Sequence, residues 1–134
     1  MSKTEYTSAV PVICTSDVSS TIKYLVETLG FTKDWAWGEP PAYGAVKAGP
    51  AEIYITYDPD VANAIAEHGL APDVFLWVKD IESVYASHRA NHAEIFEELS
   101  LRPWGVQQYV VREPNGYHLK IAENCGPEIE NLQR

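Results

Sequence analysis

Basic residues are scarce in this chain: 10 Lys and Arg stand against 19 Asp and Glu in 134 residues, a formal net charge of −9. That balance repels nucleic acid and anionic lipid, so neither a nucleic acid nor a membrane is expected as a partner, and it favours a cationic small molecule. Long hydrophobic runs are missing as well. No stretch approaches the roughly 18 consecutive apolar residues of a membrane span, and Met1-Ser2-Lys3-Thr4-Glu5-Tyr6 lacks the apolar core of a signal peptide, so a cytoplasmic location is expected. Cysteine is limited to Cys14 and Cys125, which fit no CxxC or ligand spacing and read as packed thiols, with a disulfide left open. The histidines His68, His88, His92 and His118 show neither HxH nor HExxH spacing, and there is no nucleophile elbow, phosphate loop or identifiable acid–base pair. No catalytic residue, metal ligand or cofactor is therefore assigned, and the chain is not expected to be an enzyme.

What remains is a chain 46% hydrophobic and 22% charged, the composition of one folded domain over residues 1–134. Ser8 to Cys14 reads as a strand, Asp17 as a helix cap, and Val18, Ile22, Leu25, Val26 and Leu29 recur at helical spacing before Gly30 supplies a left-handed stop. Phe31–Trp37, Tyr43–Ala48 and Glu52–Tyr57 are predicted strands, closing a βαβββ unit over residues 7–57. A linker follows over 58–72, with a short helical turn at Val61 to His68. The pattern then restarts: a strand at Val74–Val78, a cap at Asp80, a helix face of Ile81, Val84, Tyr85 and His88, and strands at Glu94–Leu101, Gln107–Arg112 and Tyr117–Glu123. Residues 73–123 form a second module about 63 positions after the first, and 124–134 is a surface tail. The fold class is α+β. A lone unit leaves one sheet face bare, so two units are expected to set two curved sheets around a shared cleft.

Three segments carry a resemblance to the glyoxalase, bleomycin-resistance and ring-cleaving dioxygenase superfamily, known as the vicinal-oxygen-chelate superfamily. They are Thr7-Ser8-Ala9-Val10-Pro11-Val12 with Asp17-Val18, the helix exit Leu29-Gly30-Phe31, and Pro103-Trp104-Gly105 running through Tyr109-Val110-Val111 to Glu113-Pro114-Asn115-Gly116. The opening is most similar to bleomycin-resistance proteins, which are dimers that sequester a glycopeptide antibiotic without modifying it. Members with metal chemistry place N or O donors on the first strand of each module and on the last strand of the second. The resemblance puts Val10, Asp73 and Lys120 at those positions. A valine has no lone pair and an ammonium repels a divalent cation, so a metal-free binder of a bleomycin- or phleomycin-type ligand is implied.

The chain holds four Trp and eight Tyr, ample material for stacking on a flat ligand. Trp104, in a Pro-Trp-Gly loop, is the first ligand-facing candidate, and the resemblance implies that it stacks opposite an aromatic residue of the other subunit. Tyr43 fits that partner role best, with Trp37 and Trp35 as substitutes. Trp77, in an apolar strand, reads as core or inner cleft wall; Tyr109 and His118 complete the candidate set, His118 sharing a face with Lys120 two residues on. Pro11 removes a ladder donor from the first strand. By resemblance it is the hinge at which an N-terminal arm crosses to a partner in a domain-swapped homodimer. A metalloenzyme with unusual ligands, and a binding module for another metabolite, are the alternatives.

Overall fold

The computed structural model describes residues 3–125. The tail expected over 124–134 therefore lies outside the described residues from 126 onward.

The first half contains β1 (Val12–Thr15), α1 (Val18–Glu27), β2 (Thr32–Trp37), β3 (Tyr43–Ala48) and β4 (Ala51–Tyr57), with strand order β1-β4-β3-β2. Only the β1–β4 pair is parallel. Asp17 starts α1 as its position predicts: its backbone is extended and its carboxylate accepts from the Ser20 N–H at 3.1 Å and the Ser20 hydroxyl at 2.8 Å. Those bonds hold the exposed Asp17 carboxyl below its ordinary range. The helix ends two residues before Leu29, and Gly30, at φ +83°, turns the chain away. The buried stripe Val18, Thr21, Ile22 and Leu25 lies on the sheet. Gly44 is what lets it close: a Cβ there would sit 2.7 Å from Ile22 Cδ1.

The second half repeats the topology with β5 (Val74–Trp77), α3 (Ile81–Ala90), β6 (Glu94–Leu101), β7 (Val106–Arg112) and β8 (His118–Asn124), in the order β5-β8-β7-β6. Between the halves lies α2 (Pro59–His68), a full helix rather than a short turn, because Asp58 caps it through the Val61 N–H and Pro59 fits its first turn.

Two local expectations are corrected. The first strand starts at Val12, not Ser8: Pro11 gives its carbonyl to the Tyr54 N–H at 3.0 Å, and residues 3–11 lie outside any strand. Asp80 does not cap α3 with its side chain. It sits at φ +57°, and Glu123, across on β8, accepts from the N–H groups of Asp80 and Ile81 at 3.0 and 2.9 Å. An acceptor from another strand does the work expected of the local aspartate.

One hydrophobic core serves both halves, joining Ile22, Leu25, Val46 and Ile53 to Ile81, Tyr109, Leu119 and Ile121. These are the helix-covered sides of the two sheets, so the sheets pack back to back through their helices. Polar ties cross the same seam. His88 Nε2 lies 3.2 Å from the Leu29 carbonyl while its Nδ1 lies 2.7 Å from the Tyr109 hydroxyl, which fixes the neutral tautomer with Nε2–H donating and Nδ1 accepting. Burial holds this imidazole below its ordinary value. The Glu113-Pro114-Asn115-Gly116 turn docks onto the first half as well: Asn115 Nδ2 donates to Thr21 Oγ1 at 3.0 Å, and the Cys14 N–H donates to the Tyr117 hydroxyl. Glu113 organises that turn by accepting from the N–H groups of Asn115 and Tyr117. Burial raises its carboxyl above the ordinary range, against the pull of those donors.

Candidate functional site

Strand register assigns the sheet faces that the helices leave bare. On the first sheet, residues opposite one another across the strands share a face, which gives the rows Val12–Tyr54–Ala45–Trp35 and Cys14–Thr56–Tyr43–Trp37. This face points away from α1, since Gly44 and Val46 are the residues beneath the helix. Trp35 and Tyr43 stack with centroids 5.9 Å apart and planes 15° off parallel, and Tyr54 meets both edge-on at 5.8 and 6.5 Å. The expected residues Trp35, Trp37 and Tyr43 thus share one surface. Tyr54, the ring at its centre, was missed by the sequence reading; its alternation with buried Ile53 and Ile55 was the available signal.

The outward face of the second sheet carries the rows Phe75–Lys120–Val110–Glu97 and Trp77–Ala122–Gln108–Ser100, with His118 paired to Arg112. Phe75 and Trp77 lie 4.9 Å apart, and Phe96 stacks on His118 at 4.3 Å. Trp77 is 60% exposed, so it is not a core residue, and it borders the cavity between the two halves. Trp104 projects from the β6–β7 loop, 53% exposed, where Gly105 at φ +86° and the Gly105 N–H to Arg102 carbonyl bond make the tight turn. Tyr109 belongs on the opposite side. It is fully buried under α3, its ring 4.7 Å from Tyr85, and its hydroxyl is spent on His88, so it cannot meet a ligand on this face.

The two bare faces do not face each other within one chain. The helix sides are fused into one core, and the aromatic residues of the other sides are left exposed. The large exposed side chains Trp35, Trp37, Tyr43, Phe75, Trp77 and Phe96 all lie on these faces.

The ion positions implied by the resemblance do not fit a metal. Lys120 Nζ makes an ion pair with Asp73 Oδ2 at 2.9 Å, so the one carboxylate of the three positions is already neutralised by the residue beside it. Val10 precedes β1 and has nothing to donate. Among the described residues no three His, Cys, Asp or Glu side chains come together as a ligand set. Elsewhere on the faces, Lys47 pairs with Asp34, Arg112 with Glu94 and Arg102 with Glu97. The chain's negative charge is therefore not concentrated here: the cations of the faces are answered by carboxylates, and Glu52, opposite Lys47 in register, adds one more.

Paired βαβββ modules with outward aromatic faces and a neutralised ion position define a class of protein by fold and site together. The chain belongs to the Glyoxalase/Bleomycin resistance protein/Dioxygenase superfamily, whose family model matches residues 7–121. Among solved structures it is similar to the bleomycin-binding protein of bleomycin-producing Streptomyces verticillus complexed with copper(II)-bleomycin, at 20% identity over 89% of this chain and 97% of that one, TM-score 0.70. It is similar also to a bleomycin resistance determinant encoded on the transposon Tn5, at 19% identity over 89% and 98%, TM-score 0.70. A glyoxalase-related enzyme from Clostridium phytofermentans matches at 18% identity over 90% and 97%, TM-score 0.73. At these identities the likeness is one of fold. No curated protein matches the chain.

Proposed function

We propose that this protein is a metal-free binder that sequesters a flat aromatic ligand in the cytoplasm, with bleomycin- and phleomycin-type antibiotics as the first candidates. In this reading two chains form a homodimer in which the Trp35/Tyr43/Tyr54 face of one copy meets the Trp77/Trp104 face of the other. The observation that carries it is the pair of bare aromatic faces, each turned away from the shared core. Exposed rings on that scale need cover, and a planar ligand between them gains stacking from both sides, about 1 kcal/mol per ring beyond area burial. Residues 3–11, outside any strand, with Tyr6 87% exposed, suit an arm that reaches a partner from a hinge at Pro11. Balanced ion pairs and one additional carboxylate on the faces leave no net positive charge to repel a cationic ligand.

Titrating intrinsic Trp fluorescence with bleomycin and with phleomycin tests the reading. Saturable quenching is expected, with Trp104→Ala weakening binding about fivefold to tenfold, the equivalent of one lost stacking partner. No quenching by either compound at high micromolar concentration sinks the antibiotic assignment. Metal analysis of protein purified without chelator tests the metalloenzyme alternative: a stoichiometric divalent ion would favour it.

A further inference from the structure

At the seam between the two halves, bordered by Trp77 of the second aromatic face, lies a cavity of about 270 Å³ where Leu29 and Phe31 of the first half meet Leu76, Val84 and Ile121 of the second. It exceeds the ~150 Å³ apolar cavity known to admit benzene, so a medium-length alkyl chain or a fused aryl group fits. The cavity is walled by apolar side chains, and the polar groups at its edge differ in what they can offer. His88 has both ring nitrogens committed, to the Leu29 carbonyl and to the Tyr109 hydroxyl, and burial keeps it uncharged. Lys79, at the mouth, is exposed and is in none of the ion pairs among the described residues. Glu123, which reaches the neighbouring Asp80 and Ile81, is spent on the two N–H groups that start α3. In a chain of net charge −9, this is an apolar cavity whose lining carries one formal charge, and that charge is positive.

We infer that this cavity, which borders Trp77 but not Trp104 or the Trp35/Tyr43/Tyr54 cluster, is a second binding site for a small amphipathic anion: an alkyl or aryl group against Leu29, Phe31, Leu76, Val84 and Ile121, with its carboxylate at Lys79. The apolar wall supplies affinity in proportion to the area it covers, and the single cation orients the head group toward the mouth. Because both halves line the cavity, an occupant also braces the seam that His88 crosses, and binding should stabilise the fold by mass action.

Methyl-resolved NMR of the full chain, titrated with octanoate and separately with 1-octanol, tests the assignment. Octanoate is expected to give saturable shifts at the Leu29, Leu76, Val84 and Ile121 methyls, and 1-octanol to bind several-fold more weakly. Lys79→Glu, a surface change that leaves the core intact, should weaken octanoate about tenfold. Trp104→Ala should leave octanoate binding unchanged, which keeps this site distinct from the antibiotic reading. The inference is overturned if these methyls do not move at millimolar octanoate, if the alcohol binds as well as the acid, if Lys79→Glu has no effect, or if Trp104→Ala abolishes binding.

Discussion

His88 shows how one side chain can tie two modules and set a pH limit. Its imidazole is neutral in the fold because burial opposes protonation, so the unfolded chain binds a proton more readily. Stability from this group is complete above the ordinary histidine value and is lost as pH falls below about 6.5 toward the lower folded value. Glu113 has the opposite sign: its raised carboxyl favours the fold at low pH, and that contribution is lost as pH rises from the ordinary glutamate range through the folded value. Denaturant unfolding between mildly acid and neutral pH should therefore find that His88→Phe removes the rising arm of the profile and keeps the falling one. At neutral pH the same variant should lose about 1–3 kcal/mol, because the Tyr109 hydroxyl is left buried without its acceptor. An unchanged profile would show that the ring's two bonds do not matter to the seam. Reading single residues from sequence succeeded where the signal was local: Asp17 caps, Gly30 turns, Trp104 projects. It misplaced Tyr109 because strand alternation states that a residue faces one side without saying which side the helix covers.

The elements were legible in kind and less so at their ends. Both βαβββ runs follow from period-2 and helical spacing, yet α3 begins differently from its sequence. Asp80 in the N-cap position looked sufficient, but its backbone is left-handed, its side chain makes no cap bond, and Glu123 accepts both N–H bonds from 43 and 42 residues along the chain. Long-range capping leaves no local pattern to read. Those two bonds hold the Glu123 carboxyl below its ordinary range, so its contribution is present above that range and fades as pH falls through the folded value. Glu123→Ala should lower the melting temperature at neutral pH and the difference from wild type should shrink in acid, while Asp80→Ala should leave the melting temperature nearly unchanged. Equal losses from the two variants would return the cap to Asp80. The connecting helix α2 was underestimated for a different reason: Asp58 and Pro59 form a proper start, but a linker of that length reads as a turn when only its apolar spacing is weighed.

At the scale of the whole molecule, duplication was visible and its geometry was not. Sequence spacing gives two modules; whether their bare faces meet within a chain depends on which sides fuse, and here the helix sides do. A dimer that covers the faces should sediment at twice the chain mass at micromolar concentration, and Trp77→Glu, which places a charge on an exposed face position, should shift it toward the single chain while leaving the far-ultraviolet dichroism unchanged. Sedimentation as a single chain at high micromolar concentration would count against the paired cleft.

The Asp73–Lys120 pair sets how many changes separate this surface from one that could coordinate an ion. Replacing the lysine would free one carboxylate on the second sheet, yet Val10 still contributes no donor, so a coordination site at these positions would need simultaneous changes in separate segments, each of little use alone.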